Sequence, residues 1–242
     1  SLALLADAGH NASDVVGLLL AWGASFLARR PPSKKYTFGL RRATIYAAFF
    51  NAILLLVACA VILWEAVCRL REPAPVAGLT MIAVAAIGVA INTVTATLFL
   101  RGSKHDANVR GAFLHMAADA AVSAGVVLAG VTIMATGIGW IDPVVSIIIV
   151  MVIAWGTWDL LTESLGLAMD AVPRHVNVSE LTNALVEIPG ILEIHDLHIW
   201  GISTSEVMLT ARLVIVDSSR KGSLEEAQAL LRERFGITHT TL

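Results

Sequence analysis

A chain of 242 residues that is 57% hydrophobic and 15% charged, with a mean hydropathy of +0.76, is no ordinary soluble domain, in which charged residues run at about 25%. Its net charge of -2 supplies no basic face for nucleic acid. Cys59 and Cys68 share one apolar run, so they suggest neither a thiolate metal motif nor a disulfide framework, and helix packing accounts for both.

Crossing about 30 Å of hydrocarbon takes about 20 apolar helical residues. Five segments qualify in chain order. The first runs from Leu2 to Ala28, where Arg29-Arg30-Pro31-Pro32 halts it. Ala43 to Trp64, Val76 to Leu100 and Gly111 to Gly137 follow. The fifth starts near Pro143, a favourable first-turn proline, and continues to Leu161. Helices are the default, because backbone in hydrocarbon must satisfy its own hydrogen bonds.

Lys and Arg set the orientation. Arg29, Arg30, Lys34, Lys35, Arg41 and Arg42 follow the first span, and Arg101, Lys104 and Arg110 follow the third. These loops and the C-terminal segment are therefore expected in the cytoplasm, with the lipid bilayer around a multi-pass chain. Ser1 then lies outside, so a cytoplasmic N-terminus requires one more helix upstream. The opening SLALLAD does not read as a signal peptide, and the chain stops inside an apparent strand, GITHTTL. Both ends read as limits of a segment rather than natural termini.

After Asp170 the composition changes. Residues 1–165 read as a transmembrane domain, 166–173 as a linker and 174–242 as a small α+β domain. VNVSELTNALVEIPG predicts a helix with Ser179 as N-cap and Pro189-Gly190 as stop. ILEIHDLHIW and EVMLTARLVIV predict strands, SLEEAQALLRERFG a second helix and ITHTTL a last strand. The order is αββαβ.

Chemistry enters in the first span, where HNASD places His10 and Asp14 one helical turn apart. FLHMAADAAVS repeats the spacing with His115 and Asp119. Residues at i and i+4 share a helix face. If the two helices face each other, two imidazoles and two carboxylates converge. That set suits a tetrahedral dication such as Zn2+, with bonds of about 2.0–2.2 Å, and argues against Cu(I), Mg2+ and Ca2+.

Two buried carboxylates need compensation, which either a dication or protons can supply. Metal and protons compete for the same ligand atoms, and histidine titrates near neutral pH. A metal/proton antiporter follows, with protons as counter-substrate. A lone His or Asp in a membrane is often only an interhelical hydrogen-bond partner; two motifs of identical spacing favour metal. Asp7 shares the face of His10 and is a candidate outer-shell partner, although serving the extracellular approach or a helix-end hydrogen bond is the favoured reading. Asn51 and Asn92 read as helix–helix contacts, and Ser123 as packing.

SLALLADAGHNASD, FGLRRATIYAAFFNAILLL, NVRGAFLHMAADAAVS and IHDLHIW, in that order, together resemble the cation diffusion facilitator family, in particular its bacterial zinc-exporting branch. The resemblance implies a homodimer, with six transmembrane helices and a cytoplasmic metallochaperone-like αββαβ domain in each protomer. It further implies that the first family helix is absent from this chain, whose five spans would be helices two to six. His10, Asp14, His115 and Asp119 map onto the family's transport site, in the version similar to zinc-favouring members.

The same resemblance aligns His195 and Asp196 with first-strand ligands of a cytoplasmic metal site, and His239 with a last-strand ligand. Arg212 stands where many relatives carry histidine. A guanidinium cannot ligate a metal, so a full binuclear site is not expected, although His198 could compensate. Metal binding and a purely structural role both stay open for His195, His198 and His239. The loop from Arg29 to Arg42 has no His, Asp, Glu or Cys, and a loop metal site is not expected there.

The expectation is a Zn2+/proton antiporter of the bacterial inner membrane, exporting Zn2+ from the cytoplasm by alternating access. Zn2+ is its transported substrate and a candidate structural ion of the cytoplasmic domain. No covalent chemistry is required, so it is not read as an enzyme. A membrane metalloenzyme would need a general base that the helix centres lack. A metal sensor would bind tightly without turnover.

Overall fold

The computed structural model describes residues 19–20, 22–71, 78–100, 107–216 and 222–242. They belong to two compact units, one built on residues 54–157 and the other on 16–53 with 158–242. Residues 22–28 form the helical segment α1. Four long helices follow: α2 (Ala43–Arg71), α3 (Gly78–Leu100), α4 (Ala107–Thr136) and α5 (Ile141–Ala168). Among the described residues, Ala43–Arg71, Asp119–Thr136 and Ile141–Ala168 are long and apolar enough to cross a membrane, and Ile82–Leu98 is a shorter apolar helical stretch.

Two helices outrun their hydropathy. α2 continues past Trp64 to Arg71, where Arg69 Nη2 pairs with Glu65 Oε1 at 2.7 Å one turn back, the favourable acid-then-base order. α5 continues past Leu161 to Ala168 and closes in a Schellman pattern. Ala171 N donates to Gly166 O (2.9 Å), and Asp170 N to Leu167 O (3.2 Å). Asp170 takes the left-handed position, φ 61, usually held by glycine, and its carboxylate receives Arg42 Nη2 at 2.5 Å.

The core of the first unit comes from Cys59 and Ile62 on α2, Ala85 on α3, Val126, Ala129 and Ile133 on α4, and Ile149 and Val150 on α5. Among the described residues of this unit, α3 and α4 form the extensively packed pair. About seven peptide units join Leu100 to Ala107 and reach at most about 25 Å. Each helix is longer, about 35 and 45 Å at 1.5 Å per residue. Such a connection brings the two together as an antiparallel hairpin.

The second unit contains the αββαβ order read from the sequence: α6 (Val178–Val186), β1 (Ile191–Gly201), β2 (Val207–Ile215), α7 (Gly222–Phe235) and β3 (His239–Thr241). The sheet order is β1-β2-β3, with β1 and β2 antiparallel and β2 and β3 parallel. A parallel neighbour needs a crossover, and α7 provides it. Val207, Leu209 and Ala211 alternate into a core with Leu181, Leu185, Leu231 and Ile237. The N-cap of α6 is Asn177 and not Ser179: Asn177 Oδ1 accepts from Glu180 N at 3.2 Å. Ser179 therefore falls inside the first turn.

Candidate functional site

Asp119 sits on the packing face of α4. It is 4% exposed and begins a buried stripe through Ser123, Val126, Ala129 and Ile133, the three-to-four-residue repeat of a helix face turned inward. His115 lies one turn earlier on the same helix; its side chain is outside the described residues. So are His10, Asp14 and Asp7, and with them the meeting of the two H-x-x-x-D motifs. Among the described residues no group of three or more His, Cys, Asp or Glu is placed to hold a metal ion. A carboxylate on the core face of an apolar helix is costly unless its charge is balanced, and that gives Asp119 its interest.

A second buried carboxylate went unnoticed in the sequence. Asp142 is 0% exposed in the first turn of α5, and Ser146 Oγ donates to its main-chain carbonyl at 2.7 Å. Beside Pro143 it resembles an ordinary acidic residue at a helix start. The available signal was its place at the edge of a continuous apolar run.

In the second unit a bulge rearranges the histidines. His195 pairs with Arg212 and His198 with Thr210, with one extra β1 residue between them. Asp196 adopts φ 50 there, a left-handed conformation that Asp tolerates better than most side chains. Three residues apart in a regular strand, His195 and His198 would face opposite ways. The bulge sets both on the face of Thr210 and Arg212, away from the buried Leu209 and Ala211. His239 is the register partner of Met208 and joins the same face. However, β2 lies between β1 and β3, which separates His239 from the other two by about 10 Å of sheet.

Each of these side chains already has a partner or a surface. His195 Nε2 lies 2.9 Å from Glu193 Oε2, and Asp196 Oδ2 3.1 Å from Arg212 Nη1. Arg41 Nη1 donates both to His239 Nε2 at 3.0 Å and to Glu206 Oε2 at 2.7 Å. His198 lines a cavity of about 1140 Å3 with Tyr36, Arg41, Arg42, Tyr46 and Trp200. Both cavity arginines are ion-paired, Arg41 with Glu206 and Arg42 with Asp170. Just after Pro173, Arg174 Nη1 donates to Asp159 Oδ1 at 2.6 Å; that hydrogen bond raises the guanidinium above its usual pKa.

A family profile described as the cation efflux transmembrane domain matches residues 1–167. A second, described as the cation efflux protein cytoplasmic domain, matches residues 173–242. The chain belongs to the cation efflux family: it is a membrane transporter with a cytoplasmic domain, and not an enzyme. It is 36% identical over 245 residues to the metal cation efflux system protein CzcD of Cupriavidus metallidurans, covering 100% of this chain and 77% of that protein. The zinc transporter ZitB of Escherichia coli K12 is 37% identical over 244 residues (100% and 78%). The cadmium, cobalt and zinc/H(+)-K(+) antiporter of Bacillus subtilis 168 is 34% identical over 250 residues (100% and 79%). The metal-bound C-terminal domain of the Cupriavidus CzcD transporter aligns at 32% identity and TM-score 0.25, covering 27% of this chain and 93% of that one.

Proposed function

We propose that the protein exports Zn2+ from the cytoplasm in exchange for protons, by alternating access through a site made of His10, Asp14, His115 and Asp119. The observation that carries this reading is the Asp119 carboxylate, buried on the inward face of α4 one turn after His115. A carboxylate charge at such a buried position is unfavourable unless balanced; a dication balances it on the way out and a proton balances it on return. Because ligands must shed protons to bind metal, loading and deprotonation are one event. Relatives named as zinc transporters and as a zinc/H(+)-K(+) antiporter support the substrate and the counter-ion.

The rest of the proposal follows the same lines. The protein works as a homodimer in the bacterial inner membrane, with residues 1–165 as the membrane domain, 166–173 as linker and 174–242 on the cytoplasmic side. Asp7 supports His10 from outside the ligand shell. Of the cytoplasmic candidates, His195, Asp196 and His198 would share a second Zn2+ only if Asp196 left Arg212, while His239, two strands from β1 and bonded to Arg41, would not reach the same ion.

Zn2+ titration of the full-length protein in weakly buffered detergent, with pH recorded, tests the coupling. Proton release on Zn2+ addition, much reduced in Asp119→Ala, is expected. Zn2+ binding that releases no protons, or releases them equally from the variant, would contradict the reading.

A further inference from the structure

Asn92 stands out on α3. It is 7% exposed, and its side-chain nitrogen Nδ2 is buried with no hydrogen-bond partner among the described residues. A buried, unpaired amide donor calls for an explanation. The sequence suggested a contact between helices, yet this donor makes no such bond.

Its position supplies the explanation. Among the described residues, Ala85, Asn92 and Ala96 are the buried members of α3, a spacing that puts them on one face, and α4 is the helix with which α3 packs extensively. Ala85 shares a core cluster with Val122, Val126, Ala129 and Ile133 of α4, of which Val122 and Val126 lie nearest the connection between the two helices. Asn92 lies about two turns further along α3, roughly 10 Å. In an antiparallel pair that same rise, counted back along α4 from Val122 and Val126, ends at residues 115–119. Counting from the connection agrees: Asn92 is about eight residues before the end of α3, and His115 about eight after the start of α4. The unpaired amide is thus level with the H-x-x-x-D motif, on the face that α3 turns to α4.

We infer that Asn92 is a positioning residue of the transport site, an inference that rests on reading Asp119 as a ligand. Its Nδ2–H donates to the Asp119 carboxylate when metal binding holds that group ionised, and so fixes which oxygen faces the ion. Its Oδ1 can accept from the same carboxyl once it carries a proton. One amide therefore serves both states of the cycle, as a hydroxyl-free apolar residue could not. Partners that orient a ligating carboxylate typically account for 10- to 100-fold in metal affinity.

The test compares Zn2+ flux into proteoliposomes for the full-length protein and its Asn92→Leu, Asn92→Ala, Asn92→Gln and Asp119→Ala variants, beside thermal unfolding of each without metal. Asn92→Leu and Asn92→Ala should raise KM for Zn2+ by 10- to 100-fold while unfolding no earlier than wild type, and Asn92→Gln, which keeps the amide, should recover part of the loss. An unchanged KM in the Leu and Ala variants, with flux abolished in Asp119→Ala, overturns the role of Asn92 and leaves the site standing. Earlier unfolding with unchanged KM also overturns it, because a helix contact then suffices. Wild-type flux from Asp119→Ala removes the site itself, and this inference with it.

Discussion

Gly201 ends β1 against the last turn of α5. A methyl group there would lie 2.9 Å from Leu167 Cδ2 and 3.2 Å from the main-chain oxygen of Ser203. Carbon atoms rest at about 3.5–4.0 Å, so Gly201→Ala drives an overlap of roughly 0.6–1 Å into Leu167, itself 8% exposed. The Ser203 carbonyl offers no relief, because Ser203 belongs to the tight turn that Glu206 O closes by accepting from Ile202 N (3.0 Å) and Ser203 N (3.4 Å). Overpacking of this kind costs about 1–3 kcal/mol. At about 2–4 °C per kcal/mol for a chain of this size, Tm should fall by about 2–12 °C. Differential scanning fluorimetry measures it, with Gly156→Ala as control, since that α5 position has nothing within 4 Å and an added methyl stabilises a helix by about 0.5–1 kcal/mol. Adding Leu167→Ala to Gly201→Ala should destabilise less than the sum of the two single changes, because the first removes the atom that the second strikes. Additive losses, or an unchanged Tm in Gly201→Ala, would refute the close approach of α5 to β1.

Leu209→Ala, in the central strand at 0% exposure, should cost about 2–5 kcal/mol, read as a lower midpoint in chemical denaturation. Asn177→Ala removes the cap of α6 and should cost about 0.5–2 kcal/mol by the same measurement. Arg212→His releases Asp196 from its 3.1 Å ion pair and sets an imidazole beside His195 in the register. Equilibrium dialysis should then find tighter Zn2+ binding than in wild type, through a ligand set that Asp119→Ala leaves intact. Asp119→Leu should keep or raise Tm while abolishing transport, because Asp at a membrane helix centre costs about 2.5–3.5 kcal/mol that Leu does not.

The αββαβ order was legible because alternation and β-branched content change with each element, and the long helices because their apolar runs are continuous. Their far ends were not, since Glu65 and Arg69 carry α2 beyond the hydrophobic stretch by pairing with each other. Asn177 and Ser179 are equally good caps in a string of letters; only the chain direction entering α6 selects Asn177. The β1 bulge was invisible because Asp196 occupies a left-handed position with no glycine to announce it. Asp119 was singled out by its motif and its burial agrees with an inward-facing position, whereas Asn92 and Asp142 required burial to be seen: a lone amide or a helix-start acid has no pattern of its own.

The central claim is that Asp119 belongs to a site exchanging Zn2+ for protons. Zn2+ flux in proteoliposomes under an imposed pH gradient, for the full-length protein beside its Asp119→Ala variant, addresses it most directly. Flux driven by the gradient and lost in the variant is the predicted result. Zn2+ binding by the wild-type protein without gradient-driven flux would contradict the account and favour a metal sensor.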